Sequence, residues 1–140
     1  MILLDTDHLT VLKYTDSPRF ARLQGRLVAT PELIGTTIVN VEEQMRGWLS
    51  AIAKERTLAR QITTYRELAD LFEFIAKFNI ISLSPEAVDL FNGFRKSGVK
   101  VATMDLKTAC IAMASNALLL TANRRDFEKV PGLKFENWLE

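Results

Sequence analysis

Four apolar residues, Met1-Ile2-Leu3-Leu4, run straight into Asp5-Thr6-Asp7 at the start of the chain. An apolar run of this length, closed by polar residues, predicts a short strand buried on both faces. Thr6 or Asp7 is placed to cap a short helix reaching about Lys13. Asp16-Ser17-Pro18 marks a second helix start, a capping residue followed by proline in the first turn. Phe20, Leu23 and Leu27 fall on the side of that helix expected to be buried, and Thr30-Pro31-Glu32 breaks it. Leu33 to Ile38, apolar and β-branched, predicts a second strand. Asn40 is the expected N-cap of the next helix, which carries Glu42, Glu43, Met45 and Trp48.

From Leu49 to Phe78 there is neither proline nor glycine. Leu58, Ile62, Tyr65, Leu68, Phe72 and Ile75 recur there at steps of three and four, predicting an amphipathic helix with one buried face. A break near Lys54 to Thr57 would make the region an antiparallel helical pair. Asn79 to Leu83 reads as a third strand, and Ser84-Pro85 opens a helix that stops near Ser97-Gly98. Thr103 to Asn116 predicts a helix of small apolar residues suited to close packing on a sheet. Ala117 to Thr121 reads as a fourth strand, Arg124 to Phe127 as a short turn or helix, and Leu133 to Phe135 as a fifth, edge strand. Strands alternating with helices predict the α/β class, with a central parallel sheet of four to five strands flanked by helices.

Composition narrows the picture without redirecting it. The 140 residues are 48% apolar and 25% charged, which suits a single domain over 1–140 with one good core. A net charge of +1 gives the whole molecule no electrostatic footprint for nucleic acid, so any such binding must come from a local basic face. The one cysteine, Cys110, has no partner within the chain, as in a reducing compartment. No apolar run approaches a membrane span and the N-terminus lacks the pattern of a signal peptide. A cytoplasmic protein is the expectation.

Acids are the candidate chemistry. Asp5 ends the first strand, where ligands bind in open α/β sheets. A lone buried carboxylate costs several kcal/mol unless paired or bound to a metal. Glu43 lies one to two turns into the helix after the second strand, Asp105 in the first turn of the small-residue helix, and Asp126 just beyond the fourth strand. Three of these four follow a strand or open a helix, so they can converge at one edge of a parallel sheet. Clustered carboxylates need raised pKa values or a cation. Hard oxygen ligands suit magnesium or manganese, and the usual chemistry of such a cluster is phosphodiester hydrolysis.

The order of these motifs resembles the PIN-domain family, and within it the VapC-type toxins of bacterial toxin–antitoxin pairs. The resemblance rests on Leu3-Leu4-Asp5-Thr6 and on Glu43-Gln44-Met45-Arg46-Gly47. It rests further on Asp105 with its run of small apolar residues through Ala112, and on Thr121-Ala122-Asn123-Arg124-Arg125-Asp126-Phe127. It implies a PIN-like fold and a metal-dependent ribonuclease. Asp5, Glu43, Asp105 and Asp126 would hold magnesium or manganese and carry catalysis, with Thr6 and Asn123 orienting carboxylates. It also implies an RNA substrate, a homodimer and a cognate VapB-type antitoxin. Asp7 stands where the family more often has Asn; the expectation is that it caps the first helix.

Arg46, Arg124 and Arg125 are the candidate contacts to RNA phosphates, whereas Lys54, Arg56, Arg60 and Arg66 read as a solvated helix face. His8 is expected at the surface and Cys110 in the core. Met45, Trp48, Phe72 and Phe74 divide between core packing and a patch for a second protein. Two other readings compete. Asp5-Thr6-Asp7 is similar to the opening of haloacid-dehalogenase-like phosphatases, although Leu9 stands where that motif wants Thr or Val. A non-catalytic PIN module that binds RNA or a partner is the other.

Overall fold

The computed structural model describes residues 1–140. The strands are β1 (Ile2–Leu4), β2 (Ile34–Thr37), β3 (Asn79–Ile81), β4 (Leu118–Leu120) and β5 (Phe135–Glu136). The helices are α1 (Thr6–Lys13), α2 (Pro18–Ala29), α3 (Ile38–Lys54), α4 (Leu58–Ile75), α5 (Pro85–Lys96), α6 (Thr103–Ala114) and α7 (Arg124–Phe127). All strand pairings are parallel, in the order β3-β2-β1-β4-β5. The expected α/β class and five strands are therefore found. Four strands are shorter than the apolar runs that announced them, because the flanking residues join helices or loops. Ile38, for instance, opens α3. The last strand is displaced rather than trimmed: only Phe135 of the expected run lies in it.

Alternation along β1 explains the layers. Leu3 packs into a core formed with Leu106, Ala109, Ile111 and Phe127. Its neighbours Ile2 and Leu4 face the opposite way, against Leu9, Leu12, Leu23 and Leu27 of α1 and α2. Successive residues of a strand point to opposite faces, so three consecutive apolar residues are what a strand covered on both sides requires. Each fully buried leucine contributes about 2 kcal/mol. On α6, Ala109, Cys110, Ile111 and Ala112 are all buried, as expected for a small-residue helix lying close on a sheet.

The helix break fell where expected, between Lys54 and Leu58. Val41, Met45 and Trp48 from the start of α3 pack with Leu68, Leu71 and Ile75 from the end of α4, so the two helices run antiparallel. The apolar stripe of α4 is the main correction. Leu71 and Ile75 are buried, but Leu58 is 79% and Ile62 60% exposed, and Tyr65 and Phe72 are more than half exposed. The helix turns Thr64, Leu71 and Ile75 inward instead. Periodicity reports that a helix has an apolar face; it does not say that its own chain covers that face. Of the residues divided between core and patch, Phe72 is exposed while Met45, Trp48 and Phe74 pack on the small α3/α4 cluster.

At Gly35 the sheet leaves no room for a side chain. A Cβ there would stand 2.5 Å from the carbonyl oxygen of Asn79 on β3. No helix is long and apolar enough to cross a membrane.

Candidate active site

The chain runs from β1 to β2 and β3 on one side of the sheet, then returns to β4 and β5 on the other. The reversal falls between β1 and β4, and the crevice beyond such a point is where ligands enter open α/β sheets. Asp5 occupies it. Its backbone N–H donates to the carbonyl of Leu120 (2.9 Å), and its side chain is only 8% exposed. Both carboxylate oxygens are engaged. Oδ1 accepts from Asn40 Nδ2 (2.7 Å) and Oδ2 from the Thr121 hydroxyl (2.8 Å).

Asn40 therefore differs from its expected role as a helix cap. Thr37 caps α3, its hydroxyl accepting from the Asn40 N–H (3.1 Å) and donating to Asn40 Oδ1 (2.7 Å). An ionised carboxylate can only accept, so the amide nitrogen faces Asp5 and Oδ1 is left to accept from Thr37. The same nitrogen also reaches Thr6 Oγ1 (3.2 Å). The Thr6 hydroxyl in turn donates to Glu43 Oε2 (3.0 Å), one turn further along α3. Asp126, on α7, accepts from Asn123 Nδ2 (3.0 Å), and Asn123 Oδ1 accepts from the Asp126 N–H (3.4 Å). Thr6 and Asn123 thus contact the carboxylates they were expected to orient.

Burial pushes the Asp5 carboxyl above its ordinary pKa, and the charge of Asp7 adds to this against the hydrogen bonds of Thr121 and Asn40. Glu43 is also raised, first by burial, then by the charges of Asp5, Asp105 and Glu42, against the bond from Thr6. Asp105, in the first turn of α6, is raised by burial and by Asp5 and Asp126. The four acids from four separate segments thus share one electrostatic field. As they stand, no group of three or more His, Cys, Asp or Glu side chains is arranged to hold a metal ion. Like-charged carboxylates repel, and three of the four turn to hydroxyl or amide donors. The donor set is all hard oxygen, which fits magnesium or manganese better than zinc.

Two residues beside Asp5 are placed differently from expectation. Asp7 makes no helix cap, because Asp5 is the N-cap residue of α1. Its Oδ2 accepts from the Ala122 N–H (2.8 Å), and its Oδ1 lies 2.6 Å from His8 Nδ1. Burial opposes its charge, but the His8 and Ala122 bonds outweigh that and lower its pKa. His8 is fully buried rather than at the surface. Its Nε2 accepts from the backbone N–H of Trp138 (3.1 Å), so Nδ1 carries the proton donated to Asp7. An α1 pattern of Leu9 and Leu12 turned inward puts His8 on the same face, a signal the isolated histidine did not convey.

The basic residues divide. Arg46 is exposed but paired with Glu42 (2.5 Å) along α3. Arg124 and Arg125 are exposed on α7, beside Asp126, and neither is in an ion pair. Cys110 is buried in the core as expected, its thiol pushed up to about 11 by burial. Sequence reading missed Asn40 and Thr121 as partners of Asp5. The one available signal was a threonine pair three and four residues before an asparagine, directly after a strand.

No family model matches the chain. Among curated proteins it is similar to Ribonuclease VapC2 of Rickettsia felis, 32% identical over 69 residues, covering 46% of this chain and 52% of that protein. It is similar also to Ribonuclease VapC2 of Haemophilus influenzae, 27% identical over 78 residues, covering 53% and 59%. The match thus spans about half the length of these curated relatives. In structure, the chain is similar over 99% of both chains to one in the VapBC2 complex of Rickettsia felis bound to a promoter DNA fragment, with a TM-score of 0.74 and 22% identity. The resemblance to VapC-type proteins read from the motifs is borne out, in sequence over part of the chain and in fold over nearly all of it.

Proposed function

We propose that this chain, with its VapC-type PIN-like fold, is a metal-dependent endoribonuclease and the toxin of a toxin–antitoxin pair. One observation supports the reading: from Asp5 at the sheet's switch point charge bears on Glu43 and Asp105, and from Asp126 on Asp105, with Asp5, Glu43 and Asp126 hydrogen-bonded to neighbouring donors.

Asp5, Glu43 and Asp105, with Asp126, would hold magnesium or manganese. When bound, the ion supplies charge neutralisation and water activation for in-line attack on a phosphodiester. The chain's own contribution is placement. Asn40 and Thr121 fix Asp5 from both sides, so its carboxylate cannot rotate away, and Thr6 holds one oxygen of Glu43 while leaving the other free. Asn123 holds Oδ2 of Asp126, whose Oδ1 faces the Lys129 ammonium at 3.8 Å. Arg124 and Arg125 offer unpaired cations to the RNA backbone, whereas Arg46 must leave Glu42 to do so. The alternatives are not favoured. A phosphatase of the dehalogenase kind wants Thr or Val where this chain has Leu9. A binding-only module has no use for three carboxylates kept at a cost in burial.

A VapB-type antitoxin and a second copy of the chain are the proposed partners. The uncovered apolar side of α4, from Leu58 to Phe72, supports a protein-binding surface. The test is incubation of purified protein with total RNA in Mn²⁺, in Mg²⁺ and in EDTA, beside Asp105→Asn. Metal-dependent cleavage that disappears in the variant is the expected result. Cleavage that survives it would overturn the site, and absence of cleavage in every metal would overturn the activity.

A further inference from the structure

Next to the acids lies a second feature, most of whose lining the proposed chemistry does not use. A cavity of about 340 Å³ opens between α2, the loop after β4 and the segment after β5. Arg26, Thr121, Arg124, Glu136, Trp138 and Glu140 are among its lining residues. Thr121 is the residue whose hydroxyl holds Asp5 (2.8 Å), so the cavity adjoins the candidate active site directly.

Its composition points to a ligand. The Arg26 guanidinium lies over the Trp138 indole, 4.0 Å from the ring centroid. Trp138 is itself buried and fixed: its backbone N–H donates to His8, and its indole N–H donates to Glu136 (2.6 Å). Arg26 is exposed and belongs to none of the ion pairs, although two carboxylates line the same cavity. A planar cation anchored over a rigid aromatic ring and still exposed to solvent is open to a second partner. Unpaired bases of single-stranded RNA stack on arginine planes in this way. Glu136 and Glu140 argue against a phosphate in the same space, but carboxylates accept hydrogen bonds from the N–H donors of base edges. The volume lies within the range of small-ligand sites.

We propose that this cavity is a base-binding subsite: it takes the base of an RNA nucleotide flanking the scissile bond, stacked on Arg26. The proposal rests on the ribonuclease reading and deepens it by naming a position where the substrate is read. Trp138 acts through Arg26, as a positioning residue.

The test uses Arg26→Ala and Arg26→Lys in the 140-residue protein, with a cleavable single-stranded RNA in Mn²⁺. Arg26 is exposed on α2, and unfolding midpoints equal to wild type verify that both variants fold. A lost stack predicts a rise in KM of about tenfold with kcat largely kept. The lysine variant should be nearly as weak as the alanine one, because it keeps the charge and loses the plane. Equal KM values and an unchanged cleavage pattern in Arg26→Ala, from a wild-type protein that does cut RNA, would overturn the subsite and leave the nuclease standing. Full rescue by lysine would also overturn it, in favour of a charge contact. A wild-type protein that cuts no RNA removes the ribonuclease reading and the subsite with it.

Discussion

Replacing Asn40 by aspartate changes one atom's role and almost no volume. The amide nitrogen that donates to Asp5 Oδ1 at 2.7 Å becomes a carboxylate oxygen facing another carboxylate, in a place where Asn40 is fully buried. Losing a hydrogen bond to a charged group costs about 1.5–3 kcal/mol. Two ionised carboxylates in contact would repel by about 5 kcal/mol even at an effective dielectric constant near 20, so one of the pair takes a proton instead. Holding an ordinary aspartate protonated costs about 1.4 kcal/mol per pH unit above its pKa of about 3.9. At about pH 7.5 that route costs about 5 kcal/mol, and at about pH 4.5 only about 1. The pair's proton affinity is raised in the folded state, so the sign is fixed: the deficit of Asn40→Asp against wild type is small in acid and grows as pH rises. Urea unfolding of both metal-free proteins at the two pH values measures it. The expected loss is about 3–5 kcal/mol at the higher pH and about 1 kcal/mol at the lower. A deficit that is small at both, or equal at both, would refute the claim that Asn40 is the amide donor to an ionised Asp5.

Gly35→Ala places a methyl group 2.5 Å from a backbone oxygen of β3 and should cost about 2–3 kcal/mol in urea unfolding; a neutral result would mean that β3 shifts freely. His8→Phe keeps the ring but leaves the Trp138 N–H and the Asp7 carboxylate without their partner, and a loss of about 2–3 kcal/mol is expected in the same assay. For the metal-free wild-type protein, Asp5, Glu43 and Asp105 all have raised pKa values. Their folded forms bind protons more readily than the unfolded chain, so the thermal midpoint should fall as pH rises from about 4.5 to 7. Asp7, with its lowered pKa, works the other way only at more acid pH. Saturating Mn²⁺ at neutral pH should restore the midpoint in wild type and not in Asp105→Asn, as scanning calorimetry would register; a flat pH profile would contradict the shared field.

Much of the sheet was legible because a strand buried on both faces admits few sequences: Met1 to Leu4 and Ala117 to Thr121 read as strands. The acids were legible because each sits at an element boundary that its neighbours announce. What holds the acids was not legible. Asn40, Thr121 and His8 are polar residues in apolar surroundings, and their roles depend on partners 35, 116 and 130 positions away. Local pattern assigns such residues to caps or to the surface, because those are their commonest local uses. The stripe on α4 failed for the converse reason. Its period was read correctly, but the residues that would cover it are not in this chain.

The place of β1 in the sheet has a consequence for the order in which the molecule can come into being. Its neighbours are residues 34–36 and 118–120. The second donor to the Asp5 carboxylate comes only with Thr121, and the anchor for His8 only with Trp138. Pairings this distant in sequence form late and slowly. Asp5 therefore stays an unframed, solvated acid until residues 118–121 have joined the sheet. Any chemistry that needs Asp5 held from both sides is therefore withheld until that distant pairing is made.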